Sequence, residues 1–180
     1  MRYKMIYILF LIFLLITIPY VITVFLSQQD KNIQFENYDS GYQVISGNDK
    51  DDLETYLLKI LPGQISMDQE NEAVKAQAVI LRTDIIRRME NKKQIARQKL
   101  PYTTYENSEY RKKLGNRSYQ SMDQKRKKSV SETRGKVITY KNKLIEPYFH
   151  ALSVGMTLDS REWFGKDLPY IREKESLSDI

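Results

Sequence analysis

The chain has 180 residues, of which 41% are hydrophobic and 29% are charged, and it contains no cysteine. This composition is ordinary for a globular protein, and it excludes disulfides and any metal site that needs a thiolate ligand. The formal net charge is +6. Two of the 29 basic residues and none of the 23 acidic ones lie in the first 26 residues, so the remainder carries +4 (27 minus 23). This mild basic bias suits a negatively charged cell-envelope surface, and it does not call for nucleic acid as a partner.

Residues 5–26 form an apolar run without charge, which as a helix is long enough to cross a hydrocarbon core of about 30 Å. Arg2 and Lys4 precede the run, so the positive-inside rule predicts a cytoplasmic N-terminus and an extracytoplasmic remainder. A cleaved signal peptide is the alternative, but the following LSQQ offers no small-residue cleavage site, which favours an uncleaved single-pass anchor in the cell membrane. The sequence therefore divides into a cytoplasmic tip with a transmembrane anchor (1–26), a stalk with a first strand (27–50), and an external α+β domain (51–180).

The start of the external region predicts a strand near residues 42–45, followed by two helices. Asp51 and Asp52 suit the N-terminus of the first helix, and Pro62-Gly63 ends it. Apolar residues at helical spacing give this helix one buried stripe, formed by Leu53, Tyr56, Leu57, Ile60 and Leu61. The second helix begins near Asp68 and has a stripe of its own, formed by Val74, Ala78, Leu81, Ile85 and Met89. We expect Ala76 and Leu81 to pack in the core.

The second half of the chain predicts one more helix and a pair of strands. Residues 122–133 favour a helix that Gly135 stops. Residues 137–140 and 144–146 favour two strands, joined by a turn in which Asn142 takes a left-handed conformation.

The polar middle of the chain is basic and rich in tyrosine. The basic runs 111–113 and 125–128 are typical of a solvated face. Flat aromatic faces with polar tips suit sugar rings, although ordinary surface packing is the favoured interpretation of these tyrosines. The four tyrosines are Tyr102, Tyr105, Tyr110 and Tyr119.

Four blocks of sequence carry a family resemblance. Residues 72–83 read EAVKAQAVILRT, similar to a typical family run EALKAQAVAART. Residues 129–145 are similar to a pattern with Thr, Gly, Val, Tyr and Ile at fixed spacing, and residues 148–157 are similar to His-x-x-Ser-x-Gly-x-Thr. Trp163 and the Pro-Tyr-Ile at residues 169–171 match a later Trp and Pro-Tyr-Leu. In this order the blocks resemble the stage II sporulation protein D family, whose domain continues past the last block.

The resemblance implies a setting and a substrate class. Members of this family resemble lytic transglycosylases that cut peptidoglycan glycan strands, and some resemble amidase enhancers. The implied role is cell-wall remodelling during sporulation and engulfment. The implied partners are glycan strands, the membrane, a cell-wall amidase and sporulation membrane proteins, and no nucleic acid.

Gln64 is the main departure from the family pattern. The family's catalytic glutamate lies eight positions before the EAVKAQA-type run, and this chain has Gln64 there. An amide cannot deliver a proton to a leaving oxygen near neutral pH, and losing a general acid typically costs about 10²–10⁴ in rate. Two hypotheses stay open: a glycan-binding module with weak or absent catalysis, or an active lytic transglycosylase that uses another carboxylate. For the second hypothesis the nearby acids are Asp68, Glu70 and Glu72.

The resemblance also implies three substrate-binding residues. Arg82 aligns with a signature arginine that faces the cleft, and a structural ion pair is an equally weighted alternative. His150 and Ser153 align with the substrate-side segment, and a hydrogen-bonded structural pair is the favoured alternative for them. Some relatives resemble zinc binders with one His and two Cys, but His150 alone cannot hold zinc, so we expect no metal and no cofactor.

Overall fold

A computed structural model of the protein describes residues 2–29, 38–150 and 155–176. The chain divides into two units, Met1–Glu36 and Asn37–Ile180. The first unit contains the helix α1 (Arg2–Gln29), in which Tyr3–Thr23 has a mean hydropathy of 2.7. Within the described ranges, α1 is the one helix long and apolar enough to cross a membrane. Its length and composition are compatible with the predicted single-pass anchor, and a signal sequence has the same properties.

The second unit has the predicted α+β class, and its main sheet has three short strands. These are β1 (Gln43–Ser46), β2 (Asp49–Asp52) and β3 (Gln94–Ala96), in the order β2-β1-β3. Strand β1 pairs antiparallel with β2 and parallel with β3. The strand expected at residues 42–45 is confirmed within one residue. The sequence did not predict β2, because its DKDD composition is poor in strand-forming residues.

Two predicted helices follow the β1–β2 hairpin. Helix α2 (Leu53–Ile60) begins at Asp52, whose carboxylate accepts the Glu54 N–H at 2.8 Å, and a 3₁₀ turn (Leu61–Gly63) follows it. Helix α3 (Asn71–Arg88) begins three residues later than expected. Every residue of both predicted stripes is buried.

The expectation that Ala76 packs in the core is wrong. Ala76 is exposed, whereas Leu81 is buried as predicted. Ala76 lies two residues after Val74, on the opposite side of α3, because successive helical residues turn by about 100°. The neighbouring Gln77 is buried instead.

The polar middle of the chain forms a helical pair. Helix α4 (Asn107–Leu114) and helix α5 (Asn116–Glu132) meet at Gly115, which has a φ of 77°. Helix α5 therefore begins well before the expected residue 122. It packs against α2, α3 and α4, and this placement buries part of the basic run that the sequence assigned to a solvated face.

Short strand pairs and one short helix complete the described domain. Strands β4 (Thr139–Tyr140) and β5 (Lys143–Leu144) form the expected hairpin, although both are shorter than predicted. Its turn residues Lys141 and Asn142 have φ values of 49° and 62°, which confirms the left-handed turn. The remaining elements are β6 (Met156–Thr157), α6 (Ser160–Phe164) and β7 (Lys174–Glu175).

Candidate functional site

Gln64 lies in the turn between α2 and α3, directly after the 3₁₀ turn. Its backbone N–H donates to the Leu61 carbonyl at 3.0 Å, and Met67, three residues further on, is buried. The Gln64 side chain is half-buried. Its amide makes no hydrogen bond with any part of the chain that the structure describes, so it is available to a ligand.

The C-terminal end of α2, which carries this turn, is held by three elements. Three of the last four carbonyl groups of α2 accept hydrogen bonds, which satisfies groups that the end of a helix would otherwise leave unpaired. The donor–acceptor pairs are Leu61 N–H to Leu57, Arg126 Nη1 to Leu58 at 2.9 Å, and Tyr105 N–H to Lys59 at 2.8 Å. The turn is thus fixed by its own helix, by α5, and by the segment that precedes α4.

Arg126 belongs to the basic run expected to face solvent, and that expectation is wrong for this residue. Its guanidinium is fully buried and forms an ion pair with Asp123 and a 2.9 Å hydrogen bond to Asn107. It also lies over the ring of Tyr110, 5.8 Å from the ring centroid. Arg126 is therefore a structural residue that ties α4, α5 and α2 together.

The acids that follow Gln64 in sequence all face solvent. Asp68 and Glu70 are exposed, and Glu70 precedes α3 without making a side-chain cap. The side chain of Glu72 is 82% exposed and pairs with Lys75 at 2.7 Å. A general acid needs burial in apolar surroundings to keep its proton near neutral pH. None of these three carboxyls has such surroundings.

Arg82 makes a buried ion pair with Glu54. Arg82 Nε and Nη2 donate to the two carboxylate oxygens, both at 2.7 Å, and both side chains are 1% exposed. This two-pronged geometry is the strong form of an Arg–carboxylate contact. The structure therefore contains the structural ion pair that was one of the two roles expected for Arg82. Direct contact of Arg82 with a glycan stays a prediction.

The same guanidinium also connects α3 to the segment after α5. Arg82 Nη1 donates to the Lys136 carbonyl at 3.2 Å, and Nη2 lies 3.4 Å from the Thr133 hydroxyl. Next to it, the Ile138 N–H donates to the Thr83 hydroxyl at 3.0 Å. Arg82 and Thr83 thus hold the start of the β4–β5 hairpin against α3.

A cavity of about 220 Å³ lies beside the ion pair. Its wall is mainly apolar and includes Tyr38, Leu53 and Val137, with Glu54 and Arg82 among the polar lining residues. Gln64 does not line it. The cavity lies at the N-terminal end of α2, and Gln64 follows its C-terminal end. With eight residues, α2 is about 12 Å long.

A third polar cluster surrounds Asp84 on α3. Asp84 accepts hydrogen bonds from the Tyr102 hydroxyl at 2.6 Å, from Arg88 Nε at 2.5 Å and from Arg87 Nη2 at 3.1 Å. Burial alone would raise the pKa of Asp84, but these hydrogen bonds outweigh it and hold the pKa below its usual range. Burial and the bond to Asp84 raise the pKa of Tyr102. The cluster anchors the segment after β3 to α3.

Of the two residues expected on the substrate side, the structure describes only His150. His150 is exposed, and Ser153 lies outside the described residues, so their substrate-binding role stays a prediction. Among the described ranges, no group of three His, Asp or Glu side chains is arranged to hold a metal ion.

The sequence did not single out Glu54 or the position of Tyr105. The sequence pattern could have indicated Glu54, because it falls at helical spacing within the buried stripe of α2. Arg82 falls in the same way within the buried stripe of α3. Opposite charges placed within two buried stripes predict an ion pair between the helices. Tyr105 had no such signal, because its contact with the Gln64 turn joins residues far apart in an irregular segment.

Comparison with known proteins places this architecture in a family. The family model described as stage II sporulation protein (SpoIID) matches residues 40–140. Stage II sporulation protein D of Bacillus subtilis (strain 168) is 28% identical over 131 residues, which are 69% of this chain and 38% of that protein. The same figures hold for stage II sporulation protein D of Bacillus amyloliquefaciens.

A third relative is an uncharacterized protein of Brachyspira hyodysenteriae (strain ATCC 49526 / WA1). It is 32% identical over 119 residues, which are 66% of this chain and 30% of that protein. The matched region thus spans well under half the length of these curated relatives. The family match covers more than half of the present chain, from the β1–β2 hairpin through α5 to β4. The chain belongs to the stage II sporulation protein (SpoIID) family.

Proposed function

We propose that this protein is a membrane-anchored peptidoglycan-remodelling protein that binds glycan strands at the Gln64 turn during sporulation, with weak or absent catalysis. The proposal rests on the surroundings of the Gln64 side chain. Its turn is held by α2, α5 and the Tyr105 segment, whereas its amide has no partner among the described residues. A fixed turn with an unengaged polar side chain is suited to recognition of a polar ligand.

The chemistry of the amide supports binding over cleavage. A glutamine side chain can donate to and accept from sugar hydroxyl and glycosidic oxygens. It cannot transfer a proton to the leaving oxygen, which is the role of a carboxylic acid in glycosidic cleavage. The proposed protein would therefore hold a glycan strand, and a partner such as a cell-wall amidase would modify the wall beside it.

The alternative is an active lytic transglycosylase that uses another carboxylate. Asp68, Glu70 and Glu72 are the nearest acids in sequence, but all three are exposed. The Glu72 carboxylate is also already paired with Lys75, at 2.7 Å. This arrangement gives the alternative less support than the binding module.

The anchoring part of the proposal rests on α1. Its apolar run follows Arg2 and Lys4, which favours a cytoplasmic N-terminus and an extracytoplasmic domain. Protease added to intact protoplasts should digest the domain and leave α1 protected. A protected domain, or a mature N-terminus near Ser27, would contradict the anchored topology.

The binding proposal is tested with the full chain in detergent and purified glycan strands freed of stem peptides. We expect the protein to co-sediment with the strands and to release almost no anhydro-sugar products. Rapid release of these products would favour the active transglycosylase. An absence of binding would contradict the assignment of the Gln64 turn as a glycan site.

A further inference from the structure

The ring of Tyr105 packs directly on Gly63, the residue before Gln64. A Cβ atom built on Gly63 would lie 2.5 Å from Tyr105 Cε2 and 3.4 Å from both Cδ2 and Cζ. Real side chains do not approach to 2.5 Å, so only glycine at position 63 lets the ring lie this close. The aromatic ring therefore lies against the residue that directly precedes Gln64.

The position of Tyr105 is fixed by its own backbone and by the preceding residue. Its N–H donates to the Lys59 carbonyl at 2.8 Å, and the Thr104 hydroxyl accepts a 2.5 Å hydrogen bond from Arg97 Nη2. Tyr105 is half-buried, so the residue keeps accessible surface in addition to its ring contact with Gly63. Its hydroxyl has no hydrogen-bond partner within the described part of the chain. The side chain thus combines a held ring with an unengaged polar tip.

We propose that Tyr105 forms the floor of a sugar subsite beside Gln64, and this inference rests on the proposed glycan-binding function. One face of a pyranose ring carries C–H groups that pack on an aromatic ring, while its hydroxyl groups point outward along the edge. The accessible surface of Tyr105 matches the apolar face, and the Tyr105 hydroxyl and the Gln64 amide match the polar edge. The subsite would take one N-acetylated sugar of the glycan strand.

Position distinguishes Tyr105 from the other tyrosines in the polar middle of the chain. Tyr110 and Tyr119 are buried against each other, with ring centroids 6.1 Å apart. Tyr102 donates its hydroxyl to Asp84. These three side chains already have their partners within the domain. Among these four tyrosines of the described chain, Tyr105 combines an unengaged hydroxyl with contact to the Gln64 turn.

The test compares binding of stem-peptide-free glycan strands to the full chain and to four variants in detergent. Tyr105→Leu keeps apolar volume on Gly63 but removes the flat ring, and it should weaken binding by at least about tenfold. Tyr105→Phe keeps the ring and should weaken binding by no more than about fivefold. Gly63→Ala displaces the ring without changing Tyr105 or Gln64, and its loss should fall between these two.

The matched control is Tyr38→Leu, because Tyr38 is an exposed tyrosine that lines the cavity at the other end of α2. Its binding should stay within about twofold of the unchanged chain. Thermal melting checks that each variant folds, and if Tyr105→Leu does not fold, Gly63→Ala against Tyr105→Phe decides. Full binding by Tyr105→Leu, or by Gly63→Ala, would overturn the Tyr105 subsite alone. No binding by the unchanged chain would overturn the glycan-binding function and the subsite together.

Discussion

The two ends of α2 hold polar side chains in opposite situations. At the first end, Glu54 is enclosed and makes two 2.7 Å hydrogen bonds with Arg82. At the other end, Gln64 is half-buried and has no side-chain partner among the described residues. Removing one partner of a buried ion pair leaves an uncompensated charge inside the protein, which is strongly destabilising. A polar group that the fold leaves unengaged on a fixed turn is available to a ligand. The paired end of α2 would thus contribute to stability, and the unengaged end is the proposed recognition site.

Gln64→Glu tests the recognition end and has the largest expected effect. The carboxyl group is nearly the same size as the amide, so folding should change little. If the rest of the cleft can act, cleavage of glycan strands should rise by up to about 10²–10⁴. Release of anhydro-sugar products from the full chain measures this change. The matched control is Gln69→Glu, which adds the same charge at an exposed position five residues away and should leave cleavage unchanged.

Two results would alter the assignment of the Gln64 end. Strong cleavage by the unchanged chain that Gln64→Glu does not raise would show that another acid acts. Glu70→Gln and Glu72→Gln would then be tested in turn. Absence of cleavage in both forms, with binding preserved, would favour a module that only binds.

Arg82→Leu tests the stability end. It leaves the Glu54 carboxylate buried without a partner, and it should lower the free energy of unfolding by about 3–5 kcal/mol. Urea unfolding followed by circular dichroism measures the loss. The double variant Glu54→Leu with Arg82→Met removes both charges and should recover much of it. Glu72→Gln breaks an exposed pair and should cost less than about 1 kcal/mol. An Arg82→Leu loss as small as this control would show that the pair does not hold the fold.

Leu81→Ala tests whether the packing around the ion pair is as tight as its burial indicates. Leu81 is 1% exposed, and the truncation should cost about 2–5 kcal/mol of unfolding free energy. The control on the same helix is Ala76→Ser at an exposed position, which should stay within about 0.5 kcal/mol. Equal effects of the two variants would mean that the buried face of α3 is misassigned.

Asp84→Asn tests the polar cluster at the far end of α3 through its pH dependence. Because the folded-state pKa of Asp84 is lowered, its contribution is fully present above its unfolded-state value of about 3.9. The contribution is lost as the pH falls through the lower folded-state value. The unchanged chain should therefore lose stability more steeply than Asp84→Asn on acidification below about pH 5. The exposed Asp49 provides the control, and an unaltered slope in Asp84→Asn would contradict the cluster's role.

The sequence predicted α2 and α3 because each helix buries one regular apolar stripe. It did not predict β2, whose aspartates are weak strand formers, or α4, which has too few apolar residues to show a period. It treated Arg126 as solvated, because a single buried cation within a run of lysines gives no periodic signal. The likeness of residues 72–83 to a family run located Gln64. The neighbours of Gln64 come from segments that only the folded chain brings together.

The parallel pairing of β1 with β3 has a consequence for the order in which the domain forms. The strands meet through residues such as Gln43 and Gln94, which are 51 positions apart. Closing a loop of this length costs conformational entropy before the few strand hydrogen bonds can compensate. The intervening segment shortens the effective loop once α2 and α3 have docked. We therefore expect β3 to join the sheet late, with the Glu54–Arg82 contact already made.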